Sequence, residues 1–346
     1  MRAVCWYGPG DVRVEELEKP EIMDPDDAIL RVTTAAICGS DLHLYHGKVP
    51  KVRSGTTIGH EFVGVVDSVG PGVRTVQPGT RCLASMFTAC GRCPACLRGN
   101  HLGCDRYAIF GYGDLFGGLA GGQAEYVRVP LADMTLSVIP SGLADEDILF
   151  AGDILATAYT GCVAGDIEHG DVVVVVGAGP VGQLAAECAM LFAPAQVFVV
   201  DVLADRLRQA AELGATPIDA STGDPLAQLR EHTGGARADV VIAAVGNAGA
   251  LDTTWRLAAT GARLALVGFL TDEPFPQSAG QTWLRALTVR PVLGQPIRYR
   301  ERLTRLILAG RVRPARIISE RITLDAVPDT YRRLDRRELT KAVITP

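Results

Sequence analysis

The stretch Asp171–Ala193, DVVVVVGAGPVGQLAAECAMLFA, constrains the fold more than any other part of the chain. Five valines in a row describe a strand buried on both faces, which is typical of parallel sheets. They run directly into Gly177-Ala178-Gly179-Pro180-Val181-Gly182, a G-x-G-x-x-G string, and then into a helix-forming segment. The glycines differ in what they allow. Gly177 permits a tight turn, Gly179 lets the backbone approach a pyrophosphate, and Gly182 lets helix and strand pack closely. The helix N-terminus presents free N–H groups to phosphate. The turn, with Pro180 and Val181 between its last two glycines, is therefore expected to hold a dinucleotide. A second strand, QVFVV, ends at Asp201, nineteen residues beyond Gly182. A carboxylate there accepts hydrogen bonds from a ribose diol and repels a 2′-phosphate, which favours NAD over NADP. Arg206 is the complication, because a nearby arginine accommodates that phosphate.

The segments that follow repeat the alternation. LADRLRQAAELGA reads as a helix, ADVVIAAVG as a strand, AGALDTTWRLAATG as a helix and ARLALVGF as a strand. Strands alternating with helices imply a doubly wound parallel sheet. Residues 1–150 have a different rhythm. Short alternating runs such as AILRVTTAAI and EFVGVVDSVG are punctuated by GPG and QPGT, which suggests a barrel-like β domain. A mixed pattern returns after about Val292, with a helix at YRERLTRLILAG and strand-like pieces at RIISERITL and KAVITP. The expected division is residues 1–152 with 293–346, and 153–292.

The 346 residues carry a net charge of −5, with 48 % hydrophobic and 21 % charged residues. That balance fits a globular enzyme and offers no electrostatic footprint for nucleic acid or an anionic membrane. Arg332, Arg333, Arg336 and Arg337 alternate with Asp335 and Glu338 and read as a solvated helix face. The N-terminus lacks the apolar core of a signal peptide, and no apolar run reaches the roughly 20 residues of a membrane helix. A cytoplasmic location is expected. Nine cysteines in such a chain point to metal or catalytic use rather than a disulfide framework.

Four of those cysteines, Cys90, Cys93, Cys96 and Cys104, have the spacing C-x2-C-x2-C-x7-C. Four thiolates on a turn-rich loop suit a closed tetrahedral zinc site, which is structural. Iron–sulfur ligation is the alternative for this spacing. Chemistry is expected elsewhere. Cys38 in AAICGSDLHLYHG, His60 and Glu61 in GHEFVGVVDSVGPGV, and Asp153 in AGDILATAYTG form a mixed sulfur, nitrogen and oxygen set. Such a set suits a zinc with an open position.

Gly59-His60-Glu61 with Gly64, Gly70 and Val73, and Cys38-Gly39-Ser40-Asp41 with His43, resemble the signatures of the zinc-containing medium-chain alcohol dehydrogenases. The cysteine loop and the glycine fingerprint fall at the places this family would have them. The resemblance spans essentially the whole chain and is closest to the aspartate-ligand branch that includes glutathione-independent formaldehyde dehydrogenases. It implies a GroES-like, barrel-like catalytic domain split in sequence around a Rossmann domain, with the active site in the cleft between them. It implies two zincs per chain. Cys38, His60 and Asp153 would hold the catalytic one, with Asp153 in place of the cysteine of many members. Glu61 would be a transient ligand, and Asp41 would hold the second ring nitrogen of His60. The implied reaction is hydride transfer between an alcohol and a nicotinamide lined by Val245–Gly246 and Gly268–Phe269, with zinc as Lewis acid and a proton relay from Ser40 through the cofactor ribose to His43 and solvent. His46 competes for the exit step, with His43 favoured.

The substrate is a small alcohol, aldehyde or ketone that these motifs do not specify. The pocket would be lined around Met86–Phe87, FGYGDLFGGLAGG (Phe110–Gly122) and Pro296, with the glycine-rich segment either a lid or a turn-rich surface. Alternatives are an aldehyde dismutase or a polyol dehydrogenase of the same family, or a non-catalytic nucleotide-binding member. Family analogy implies a homodimer or homotetramer.

Overall fold

A computed structural model of the chain describes residues 1–268 and 276–346. The chain forms two compact units, Met1–Asp153 with Gln295–Pro346, and Ile154–Gly294.

In the first unit the strand Ala28–Ala36 is the organising element. Its alternation buries Ala28, Leu30 and Val32 and leaves Arg31 exposed. It pairs antiparallel with Glu61–Val69, from Ala28 opposite Val69 to Ala36 opposite Glu61. The register shifts between Ile29 and Leu30 and again between Val32 and Thr34. Gly64 lies under this bulged pairing, and a Cβ there would sit 2.2 Å from the Arg31 carbonyl oxygen, so only glycine fits. The sheet runs in the order Leu136–Val138, Arg81–Ala84, Glu61–Val69, Ala28–Ala36, Ala342–Thr345, Glu320–Thr323, with Tyr126–Val129 also on Ala28–Ala36. Arg2–Gly8, Asp11–Glu16 and Thr56–Thr57 form a separate three-stranded sheet. One core fills this unit, built on Val4, Leu30, Phe62, Phe87, Phe110 and Tyr331. Phe62 and Phe110 meet edge to face at 5.1 Å. Each such side chain contributes about 1.5–3 kcal/mol by leaving water.

The second unit is a parallel sheet in the order Thr216–Asp219, Gln196–Asp201, Val172–Val176, Ala238–Ala243, Ala258–Leu266, Thr288–Pro291. The strand order reverses beside Val172–Val176, and the glycine turn follows that strand, where doubly wound sheets bind ligands. The helix expected to run to Gly261 stops at Leu257, and the next strand starts at Ala258. The reason is a side chain: the Arg285 guanidinium donates to the Trp255 carbonyl at 2.9 Å and also to that of Ala258, taking the acceptors a longer helix would use. The helix Pro225–Thr233 went unread in the sequence although its signals are local. Asp224 caps it, Pro225 opens it, and Gly234 closes it in a left-handed conformation. RIISERITL is strand only over Glu320–Thr323, because Pro314–Ile317 winds into a 3₁₀ turn.

Candidate metal and cofactor sites

The cysteine loop orders its sulfurs with its own backbone. Cys93 is extended and caps the short helix Pro94–Leu97, its Sγ accepting from the Cys96 amide at 3.5 Å. The Cys90 Sγ accepts from the Cys93 amide at 3.3 Å, and the Cys104 Sγ accepts from the amides of Cys90 (3.2 Å) and Arg106 (3.3 Å). All four sulfurs lie within 4.8 Å of one another. The Cys96 amide draws the Cys93 thiol down to about 6, while burial pushes Cys96 up to about 12. A thiolate packed against three further sulfurs needs a cation, and four sulfur donors fill a tetrahedral zinc shell.

The second cluster is assembled from three separate segments. Cys38 lies just beyond Ala28–Ala36, and His60 just before Glu61–Val69, so the pairing of Ala36 with Glu61 brings both to one end of the sheet. Asp153 ends the 3₁₀ turn Leu149–Gly152. A Cβ on Gly152 would lie 2.3 Å from the Ala84 carbonyl oxygen, so this glycine lets the turn seat against the sheet. Cys38 Sγ, His60 Nε2 and a carboxylate oxygen of Asp153 lie within 4.8 Å of one another, all buried. His60 Nε2 is 3.2 Å from Asp153 Oδ2, and Cys38 Sγ donates to the same oxygen at 3.5 Å. Asp41, fully buried, faces the other ring nitrogen, with Oδ1 3.2 Å from His60 Nδ1. Asp41 is itself held: its Oδ2 accepts from the Cys38 amide (2.9 Å) and from Gln123 Nε2 (3.1 Å), and Tyr331 donates to Gln123 Oε1 (3.1 Å). Burial opposes charge on His60, but Asp41 and Asp153 overcome it and raise its pKa well above the ordinary value. Burial likewise works against ionised Asp153, and His60 reverses this and lowers it. Without metal these two shifts favour an imidazolium beside a carboxylate. A divalent cation would take the place of that proton. One sulfur, one nitrogen and one oxygen donor, buried and oriented by Asp41, fit a zinc ion.

Glu61 lies outside this three-donor cluster and pairs instead with Lys341, a residue that carries no signal in the sequence. Ser40 precedes the short helix Asp41–Tyr45, and its Oγ is 3.2 Å from His60 Nε2. Tyr112 donates to the Ser40 carbonyl at 2.7 Å, and its ring meets that of His60 edge-on at 5.6 Å. Phe110 and Tyr112 are buried, so this part of the glycine-rich segment is core and not a loose lid. His43, in the same helix as Asp41, is half-buried; burial, then Lys48 and His46, lower its pKa. His46 is exposed and bonded to Asp335 at 2.8 Å.

In the second unit the glycines of the fingerprint differ in what surrounds them. Gly177 has φ +99°, and a Cβ there would strike Val245 Cγ2 at 2.2 Å. A Cβ on Gly182 would lie 1.7 Å from the Gly177 carbonyl oxygen. Gly179 is different: nothing crowds it, and the nearest atom to its Cβ position is Arg206 Nη1 at 3.8 Å. The fold itself does not require that glycine. Pro180 and Val181 open the helix Pro180–Met190. Asp201 Oδ2 accepts from the Ala178 amide at 2.6 Å, and Oδ1 from those of Val202 (2.7 Å) and Leu203 (3.0 Å), so its charge is fixed against the glycine turn. Gly268 packs on the Val245–Gly246 peptide, where a Cβ would lie 2.6 Å from the Val245 carbonyl carbon. Phe269 lies outside the described residues.

Residues 24–141 match the family model of the alcohol dehydrogenase GroES-like domain, and residues 180–309 that of the zinc-binding dehydrogenases. The chain superposes on the alcohol dehydrogenase of Thermus sp. ATN1 with a TM-score of 0.94, at 40 % identity over 100 % of this chain and 99 % of that one. A Sinorhizobium meliloti protein assigned as a zinc-binding dehydrogenase, in a structure bound to NADP, superposes with a TM-score of 0.89 at 31 % identity, over 100 % and 99 % of the two chains. A glutathione-independent formaldehyde dehydrogenase of Pseudomonas aeruginosa is 32 % identical over 100 % of this chain and 97 % of its own length. By motif, by fold and by full-length similarity, this chain belongs to the medium-chain zinc-dependent alcohol dehydrogenase family.

Proposed function

We propose that the protein interconverts a small alcohol with its aldehyde or ketone, using NAD and a zinc held by Cys38, His60 and Asp153. The observation that carries this reading is the buried three-donor cluster with the Ser40 hydroxyl 3.2 Å from one of its donors. When bound, zinc supplies a Lewis acid for the substrate oxygen, and the nicotinamide accepts or returns the hydride. The chain's own residues bind, orient and move the proton. Asp41 fixes the tautomer of His60, so that Nε2 faces the other donors. Ser40 Oγ accepts the proton of the substrate hydroxyl as it releases its own towards His43, which passes that proton to solvent. The lowered pKa of His43 keeps it neutral, and so able to accept a proton, at neutral pH. Buried Tyr112, its ring edge-on to His60, shields that side of the cluster from water.

A second zinc fills the four-cysteine loop and is structural. NAD over NADP rests on the fixed charge of Asp201; in Asp201→Ala we expect weaker NAD binding and relatively better use of NADP. Nine free cysteines fit a reducing cytoplasm. Trp283 (78 % exposed) and Leu284 (73 % exposed) on one short helix of the second unit are apolar surface that a homo-oligomer would cover.

Metal content per chain, measured with a panel of primary, secondary and polyol alcohols plus formaldehyde on NAD and NADP, tests this reading. Two zincs and NAD-linked turnover of one class are expected. One zinc without turnover would overturn it.

A further inference from the structure

Lys341 is a buried cation at the edge of the donor cluster, with no part in the chemistry described above. It is 1 % exposed. It precedes the strand Ala342–Thr345, which pairs with Ala28–Ala36 through Val343 opposite Ala36. Ala36 is also the residue facing Glu61. Three strand ends therefore meet here: one leads to Cys38, one follows His60, and one follows Lys341. The Lys341 backbone is pinned, its amide donating to Ser319 Oγ at 3.0 Å and its carbonyl accepting from that hydroxyl at 3.0 Å. Its ammonium forms an ion pair with Glu61 Oε2 and lies 5.3 Å from the ring centroid of Phe150, in the turn that carries Asp153.

Glu61 is also 1 % exposed, and its second oxygen, Oε1, makes no hydrogen bond among the described residues. A buried carboxylate must find a cation. This one adjoins His60 in sequence, so two cations compete for it: the ammonium of Lys341 and a metal at the three donors. A carboxylate with one oxygen unbonded is available to the metal unless the ion pair holds it back.

Resting on the reading of a metal at Cys38, His60 and Asp153, we propose that Lys341 is a positioning residue that keeps the Glu61 carboxylate off that metal, so that the remaining coordination position stays open to substrate. Charge, rather than packing, does the holding, and the strand Ala342–Thr345 sets where that charge sits.

Cobalt-substituted full-length protein tests this, because the visible bands of Co²⁺ weaken and shift when an oxygen donor is added to a four-coordinate site. In Lys341→Met the spectrum is expected to move towards higher coordination, and kcat of the zinc form to fall by about 10–100-fold, the usual effect of losing a residue behind a metal ligand. Lys341→Gln retains a donor for Glu61 without the charge, guards against loss of fold, and should show the same shift. Lys341→Arg should keep the wild-type spectrum. Lys341→Met with Glu61→Gln should return to it, because the carboxylate that moved is gone. A wild-type spectrum in both folded, fully loaded Lys341→Met and Lys341→Gln would overturn the proposal, as would an altered spectrum that persists in the double variant. Wild-type protein that takes up metal at the four-cysteine loop alone would overturn the reading beneath it, and metal content separates that result from the others.

Discussion

The two donor clusters solve one problem in opposite ways. The four-cysteine cluster is local: all its donors lie within fifteen residues, and amides of the same loop orient the sulfurs. Cys90 and Cys93 remain partly exposed. The Cys38, His60 and Asp153 cluster draws on segments up to 115 residues apart, is buried throughout, and is oriented by other side chains, Asp41, Gln123 and Tyr331. A local cluster of one donor type makes a closed knot that shapes a loop. A dispersed cluster of mixed donors needs the whole unit folded before it exists, and it leaves room for chemistry.

Removing one donor from each cluster should separate these roles. In Cys38→Ser we expect turnover to fall by about 10³-fold or more, because a Lewis acid supplies several kcal/mol to the barrier. Far-UV circular dichroism should be unchanged and metal content should drop by one. Loss of both metals would show that the clusters are not independent. Cys104→Ser should reverse the pattern. Losing a structural ligand destabilises by at least about 2 kcal/mol, or about 4–8 °C in Tm for a unit of this size. Turnover per filled buried site should change by less than about tenfold.

A subtler change is Asp41→Asn, which keeps the shape but not the charge facing His60 Nδ1. We expect turnover or zinc affinity to fall about 10–100-fold, as for other carboxylates behind a metal-bound histidine. A change below threefold would make Asp41 a folding residue only.

The smallest effect is a pH dependence confined to metal-free protein. The pKa of His60 is raised from 6.5 and that of Asp153 lowered from 3.8. The His60 contribution is complete below about 6.5 and is lost as pH climbs through its raised value; that of Asp153 is present above about 3.8 and is lost as pH falls through its lowered value. Chelator-stripped protein should therefore be most stable between about pH 4 and 6.5, and its Tm should decline above that window. Zinc-loaded protein should lack that decline, since the metal has replaced the proton. Differential scanning calorimetry of both forms, buffered across the range, gives the answer.

The same contrast explains what could be read from residues alone. The cysteine loop was legible because its spacing is its geometry, and the glycine fingerprint because the strand and helix around it share its sequence. Cys38, His60 and Asp153 are each ordinary singly; their mixed donor chemistry grouped them with Glu61, and the resemblance to a known family separated these three from it. Lys341 had no signal at all: it meets Glu61 across 280 positions, and a lysine in a basic C-terminal segment reads as surface. Gln123 and Tyr331 were missed for the same reason, since a buried hydrogen-bond chain leaves no periodicity. The helix after Leu257 was overextended because its end is set by Arg285, nearly thirty residues downstream.

The strand Ala342–Thr345 has a further consequence, for the order in which the molecule is made. The ribosome releases Ala28–Ala36 early, but one of its partners emerges more than 300 residues later. The second unit lies between them as one uninterrupted stretch, Ile154–Gly294, and can complete its sheet as soon as it is synthesised. The first unit must wait, with the Ala35–Ala36 end of that strand lacking one partner, until residues 295–346 arrive, and pairings this distant in sequence form slowly. The unit that carries the glycine fingerprint is thus expected to be finished first, and the surroundings of the Cys38, His60 and Asp153 cluster last.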